Sequence, residues 1–94
     1  MLKVRYKNVI KGILVKHLPK DARIFVFGSS LKSDNFVDID VGIKGGRLNE
    51  TELIQAKEEL EEAYIPYKVD LVNFNKVDKK FENAVFKDKV SWLI

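Results

Sequence analysis

The sequence has no cysteine, so it can form neither a disulfide framework nor a thiolate zinc site. Long apolar runs are missing too. The longest, Ile24 to Phe27, holds four residues, far short of the roughly 20 that a membrane-spanning helix needs. The first residues, Met1-Leu2-Lys3-Val4-Arg5, turn charged at once and offer no apolar stretch of signal-peptide length. A cytoplasmic protein with no membrane contact is the expectation. Proline and glycine are sparse, at two and five residues, and neither a repeat nor a low-complexity linker interrupts the chain. Charge of one sign is also scarce: 17 Lys and Arg against 14 Asp and Glu leave +3, too little to identify a nucleic-acid binder.

What is present suits one folded unit. Hydrophobic residues make up 46% of the 94 and charged residues 33%, which excludes wholesale disorder. Residues 1–94 are expected to form a single domain, burying roughly 60–65% of the unfolded surface. The charges are unevenly spread. The first 25 residues carry seven Lys or Arg against Asp21 alone, whereas residues 50–62 carry six Glu against Lys57. Such blocks read first as solvated faces, and second as a basic face for a phosphate-bearing ligand or an acidic partner.

Val9, Ile10, Ile13, Leu14, His17 and Leu18 recur at helical spacing, predicting an amphipathic helix over about residues 3–18 that Pro19 stops. His17, the only histidine, continues that apolar stripe and reads as a packing residue. Arg23 to Phe27 is continuous in β-branched and aromatic residues and ends at Gly28, as a strand buried on both faces does. Ser29 to Val37 has no periodicity. Asp38 to Ile43 alternates strictly, and Gly45-Gly46 closes it with a turn. Asn49 and Glu52 resemble a helix cap with its reciprocal partner. Leu53, Ala56, Leu60, Ala63 and Tyr64 then line one face of a helix ending before Pro66. Tyr67 to Phe74 alternates as a third strand, with Val69 and Leu71 on one side and Lys68, Asp70 and Val72 on the other. Phe81, Ala84, Val85 and Phe86 suggest a short helix, and Val90 to Ile94 a terminal strand or tail. The order predicts an α/β (α+β) fold, a small mixed sheet with helices packed on it.

Asp38 and Asp40 lie two apart on a strand, so both carboxylates leave one face, about 6–7 Å apart along the backbone, while Ile39 and Val41 point into the core. Two anions side by side on an otherwise apolar strand call for a cation between them. Paired divalent metals need this geometry, because one carboxylate can bridge while the other holds an outer edge. Solvent-facing acids on an edge strand are the plainer alternative. Gly28 lets backbone amides approach a phosphate, and Ser29 adds a hydroxyl at a possible helix start. A simple turn is the alternative there. Asp70 is a third carboxylate, in a strand of otherwise core character. Hard oxygen donors with no nitrogen or sulfur nearby favour Mg²⁺.

Phe27-Gly28-Ser29, eight intervening residues, Asp38-Ile39-Asp40-Val41, and then Val69-Asp70-Leu71 resemble the nucleotidyltransferase superfamily of DNA polymerase beta, over about residues 9–94. The chain is most similar to its minimal branch. The resemblance implies that Gly28 and Ser29 contact a nucleotide triphosphate and that Asp38 and Asp40 bind two Mg²⁺. It implies that Asp70 holds the metal facing an acceptor hydroxyl and helps deprotonate that hydroxyl. The implied reaction is transfer of a nucleoside monophosphate, AMP from ATP, to a hydroxyl. Because the chain lacks an added acceptor-binding domain, the acceptor is expected to be a macromolecule. In the resembled branch it is a HEPN-domain toxin, with the nucleotidyltransferase as antitoxin. The sequence departs from that branch where Ser30-Leu31-Lys32-Ser33 replaces the usual Arg-rich stretch and where Val37, not a serine, precedes Asp38. Lys32 is then the one cation available to the triphosphate, and it makes a point contact rather than a bidentate one. The competing class is a non-catalytic module that neutralises its partner by contact. A direct nucleic-acid binder is disfavoured, since basic residues are scattered and no cluster of stacking aromatics is evident.

Overall fold

The computed structural model describes all 94 residues, Met1–Ile94. The elements run α1 (Val4–His17), β1 (Arg23–Phe27), a single 3₁₀ turn (Ser29–Leu31), β2 (Asp38–Lys44), α2 (Glu50–Glu62), β3 (Lys68–Asn73), α3 (Lys79–Lys87) and β4 (Ser91–Trp92). The four strands form one mixed sheet in the order β3-β2-β1-β4. β1 runs antiparallel to β2 and to β4, whereas β2 and β3 are parallel. A parallel pair cannot be joined by a tight turn, and α2 is the crossover that returns the chain. Asn49 starts α2 by accepting hydrogen bonds from the Thr51 and Glu52 amides at 2.7 and 3.4 Å.

Alternation along the strands sorts the side chains into two unlike layers. Ile24 and Val26 of β1 and Ile39, Val41 and Ile43 of β2 face α1 and α2, joining Ile10, Leu14, Ala56 and Leu60 in the main core. Burial of each such aliphatic side chain contributes roughly 1.5–3 kcal/mol. On the opposite face the Phe25 ring lies 4.8–5.8 Å from those of Phe27, Phe74, Phe86 and Trp92. Gly42 pairs with Phe25 across β1 and β2. A Cβ at Gly42 would lie 2.2 Å from Phe25 Cζ, so the missing side chain is the space the ring fills.

The predicted mixed sheet and all three helices are present, and several residues sit differently from expectation. Val9 is partly exposed on the outer side of α1. Tyr64 is fully exposed, because α2 ends at Glu62 with Ala63 as its cap and the chain turns away ahead of Pro66. Leu31 and Phe36, in the stretch without periodicity, are buried. His17 does not pack as an apolar residue: its Nε2 lies 2.7 Å from Glu59 Oε1, tying α1 to α2. An aromatic cluster exists after all, assembled from β1, Phe74 in the turn just after β3, α3 and β4.

Candidate active site

Asp38 and Asp40 open β2, and Asp40 is the direct partner of Asp70 in the parallel ladder and of Phe27 in the antiparallel one. Neighbouring strands lie about 4.8 Å apart, and directly opposed residues share a face. The register therefore sets Asp38, Asp40 and Asp70 on one face, at the end of the sheet where β1 exits into Gly28. All three are partly buried. Burial, then the charges of Asp70 and Asp38, push the Asp40 carboxyl above the usual aspartate range. Lys68 Nζ, 3.5 Å from Asp70 Oδ1, is the one cation paired with any of the three.

Gly28 has φ 85° and ψ −158°, a conformation that only glycine adopts without strain. A Cβ there would fall 2.5 Å from Asp40 Oδ2. Backbone and carboxylate are thus in direct apposition, and Gly28 satisfies both demands at once. The 3₁₀ turn that follows is one turn only, so the helix start expected at Ser29 is not a full helix. Ser29 is exposed, while Ser30 is completely buried with no hydrogen-bond partner for its hydroxyl. Sequence periodicity carried no signal for Ser30.

Lys32 is exposed, and its ammonium is ion-paired with Asp88 beyond the end of α3. That lysine holds the Asp88 carboxyl below its usual range. Beside Gly28 opens a cleft of about 190 Å³, walled by Phe27, Phe81, Ala84 and Val85 and closed by Asp88 and Lys89. Its aromatic walls come from β1 and α3, 54 residues apart in sequence (81 − 27), which is why sequence reading missed it.

The donor chemistry fits Mg²⁺: three hard carboxylates on one face, with the charges of Asp70 and Asp38 disfavouring ionisation of Asp40 while no cation lies between them, and no sulfur or imidazole nearby. The side chains do not converge into a ready cage, as no three His, Asp or Glu are grouped closely enough to hold an ion.

Acidic side chains on adjacent strands beside a glycine turn set hard oxygen donors next to an open stretch of backbone, an arrangement suited to phosphate chemistry. Residues 8–91 match the family described as Polymerase beta, Nucleotidyltransferase, and the chain belongs to that family. Among curated proteins no sequence matches it significantly. Among solved structures, a mutant form of the toxin–antitoxin MntA–HpeT is similar at a TM-score of 0.76 and 21% identity, covering 94% of this chain and 71% of that one. A toxin–antitoxin with AMP-PNP gives 0.72 and 24%, with 94% and 72% covered. A complex of tri-AMPylated Shewanella oneidensis HEPN toxin with MNT antitoxin gives 0.63 and 18%, with 94% and 71% covered. At these identities the likeness establishes the fold.

Proposed function

We propose that this nucleotidyltransferase moves AMP from ATP onto a hydroxyl of a protein partner, and that the partner is a HEPN-domain toxin restrained by the modification. The observation that carries the reading is the register that opposes Asp40 to Asp70 with Gly28 against Asp40. The similar structures support the choice of nucleotide and partner, since they are toxin–antitoxin complexes and one holds AMP-PNP. Gly28 and Ser29 would bring backbone and hydroxyl donors to the phosphates, and the Phe27–Phe81 cleft would take the nucleoside. Asp38, Asp40 and Asp70 would hold two Mg²⁺, which when bound offset the charge of the triphosphate. Asp70 would accept the acceptor's proton as its oxygen bonds to the α-phosphorus and the bond to the departing pyrophosphate breaks.

A contact-only antitoxin is the second reading, favoured by the pairing of Lys32 with Asp88 and the absence of arginine after Ser29. Incubation of the chain with α-labelled ATP, Mg²⁺ and a HEPN protein encoded beside it separates the two. Label on the partner, lost in Asp70→Ala while the complex still forms, supports transfer. Tight binding with no label under any divalent ion supports contact alone.

A further inference from the structure

Lys68 opens β3, lies opposite Asp38 in the parallel ladder and precedes Asp70 by two residues. Opposed residues and residues two apart share a face, so the lysine rises from the same face as Asp38, Asp40 and Asp70. Its ammonium is 3.5 Å from Asp70 Oδ1 and pairs with no other carboxylate. Lys32, the other cation named for this site, is held by Asp88. Asp38 and Asp40 have no cationic partner. Three carboxylates thus share one ammonium, and it sits on the one carried by the edge strand. The contact is longer than the roughly 2.7–2.9 Å of a charge-assisted hydrogen bond. Both partners reach water, the lysine side chain being 66% exposed and the aspartate 34%. Such a pair adds little to stability. Its consequence for ligands is larger, because an ammonium and a divalent ion are alternatives at the same carboxylate. A flexible four-carbon stem lets the ammonium leave without disturbing the strand.

We infer that Lys68 is a resident counter-ion that guards Asp70, so that a divalent cation loads there only by displacing the lysine. Asp38 and Asp40 carry no such competitor, so the first ion goes to them and a second waits on Lys68. The carboxylate proposed to take the acceptor's proton is thereby kept paired until metal arrives. The assignment of metals to these carboxylates rests on the transferase reading. The competition itself rests on the register and on the contact between Lys68 and Asp70.

The probe is Mn²⁺ titrated into nucleotide-free protein, with the free ion counted by electron paramagnetic resonance. Lys68→Met keeps the stem and removes the charge, at an exposed position where folding is not at stake. It should tighten the weaker binding step about fivefold, the upper end of what an exposed ion pair is worth. Lys68→Arg retains the charge and should stay within about twofold of the wild type. In an Asp70→Asn background the gain from Lys68→Met should fall below about twofold, since the contested oxygen is then no longer a carboxylate's. A gain that persists undiminished in that background means that the lysine acts only through its distant charge, and overturns the inference. So does an unchanged or weaker affinity in Lys68→Met, or a failure of every form to bind Mn²⁺. Labelled ATP, Mg²⁺ and the HEPN partner, added to the same proteins, keep the two ideas apart. Tighter Mn²⁺ binding in Lys68→Met with no label transferred by any form leaves the guard standing and sinks transfer. Label transferred by proteins of equal Mn²⁺ affinity does the reverse.

Discussion

The two faces of the sheet are built on opposite plans. On one, Ile24, Val26, Ile39, Val41 and Ile43 are at most 1% exposed beneath α1 and α2. On the other, α3 and β4 cover only the β1 side with aromatic rings, and the β2–β3 side is left to Asp38, Asp40 and Asp70. Closing the second face with another apolar helix would strand three carboxylates without water, at a cost of several kcal/mol each. A small domain can keep reactive charge on a sheet when one face supplies most of the burial and the other is covered by half. Phe25 links the two plans, since it is fully buried yet belongs to the open face.

Removing that link is the severest way to test the contrast. Phe25→Ala is expected to lower stability by about 3–5 kcal/mol in urea denaturation, whereas Phe81→Ala, 42% exposed, should cost under about 1 kcal/mol and act mainly on the cleft between Phe27 and Phe81. A stability loss at Phe81 equal to that at Phe25 would show the aromatic face to be closed along its whole length. The glycines give the next largest difference. Gly42→Ala drives a methyl into the Phe25 ring and should cost about 1–3 kcal/mol. Gly12→Ala, on the exposed side of α1 with nothing within 4 Å, should stabilise by up to about 1 kcal/mol.

Smaller effects come from pH, and here the two sides of the molecule should respond with opposite sign. The Asp40 carboxyl is raised by burial and by Asp70 and Asp38, so the folded state binds the proton more tightly than the unfolded chain. Stability contributed by that proton falls as pH rises from the ordinary aspartate value through the raised one. Asp40→Asn should remove this slope and raise the melting temperature at neutral pH. Mg²⁺ should raise the melting temperature of the wild type and not of the variant, and equal gains in both would argue against Asp40 as a ligand. Glu59 behaves in the other sense. Glu59 accepts hydrogen bonds from Lys16 and from His17, and these hold its carboxyl below the usual range. Its contribution is present above the ordinary glutamate value and fades as pH falls through the lowered one. Glu59→Gln should flatten that acid limb, with the smallest change of the set, because the pair is solvent-accessible.

Much of this architecture was legible from local pattern alone. Continuous Arg23–Phe27, alternating Asp38–Ile43 and the cap at Asn49 specify their elements because side-chain direction follows the backbone period within one element. The same rule put Asp38 and Asp40 on a common face and Ile39 and Val41 in the core. Gly28 was legible because a turn after a buried strand asks for a residue without a Cβ. What lay between elements was not legible. The opposition of Asp40 to Asp70 depends on a parallel register across an intervening helix, and the capture of Lys32 by Asp88 spans 56 residues. The aromatic cluster draws on β1, the turn after β3, α3 and β4. Tyr64 carried the helical spacing yet lies beyond the end of α2. Periodicity records which side of an element is apolar, whereas long-range packing decides which apolar sides meet and which charges are left facing one another.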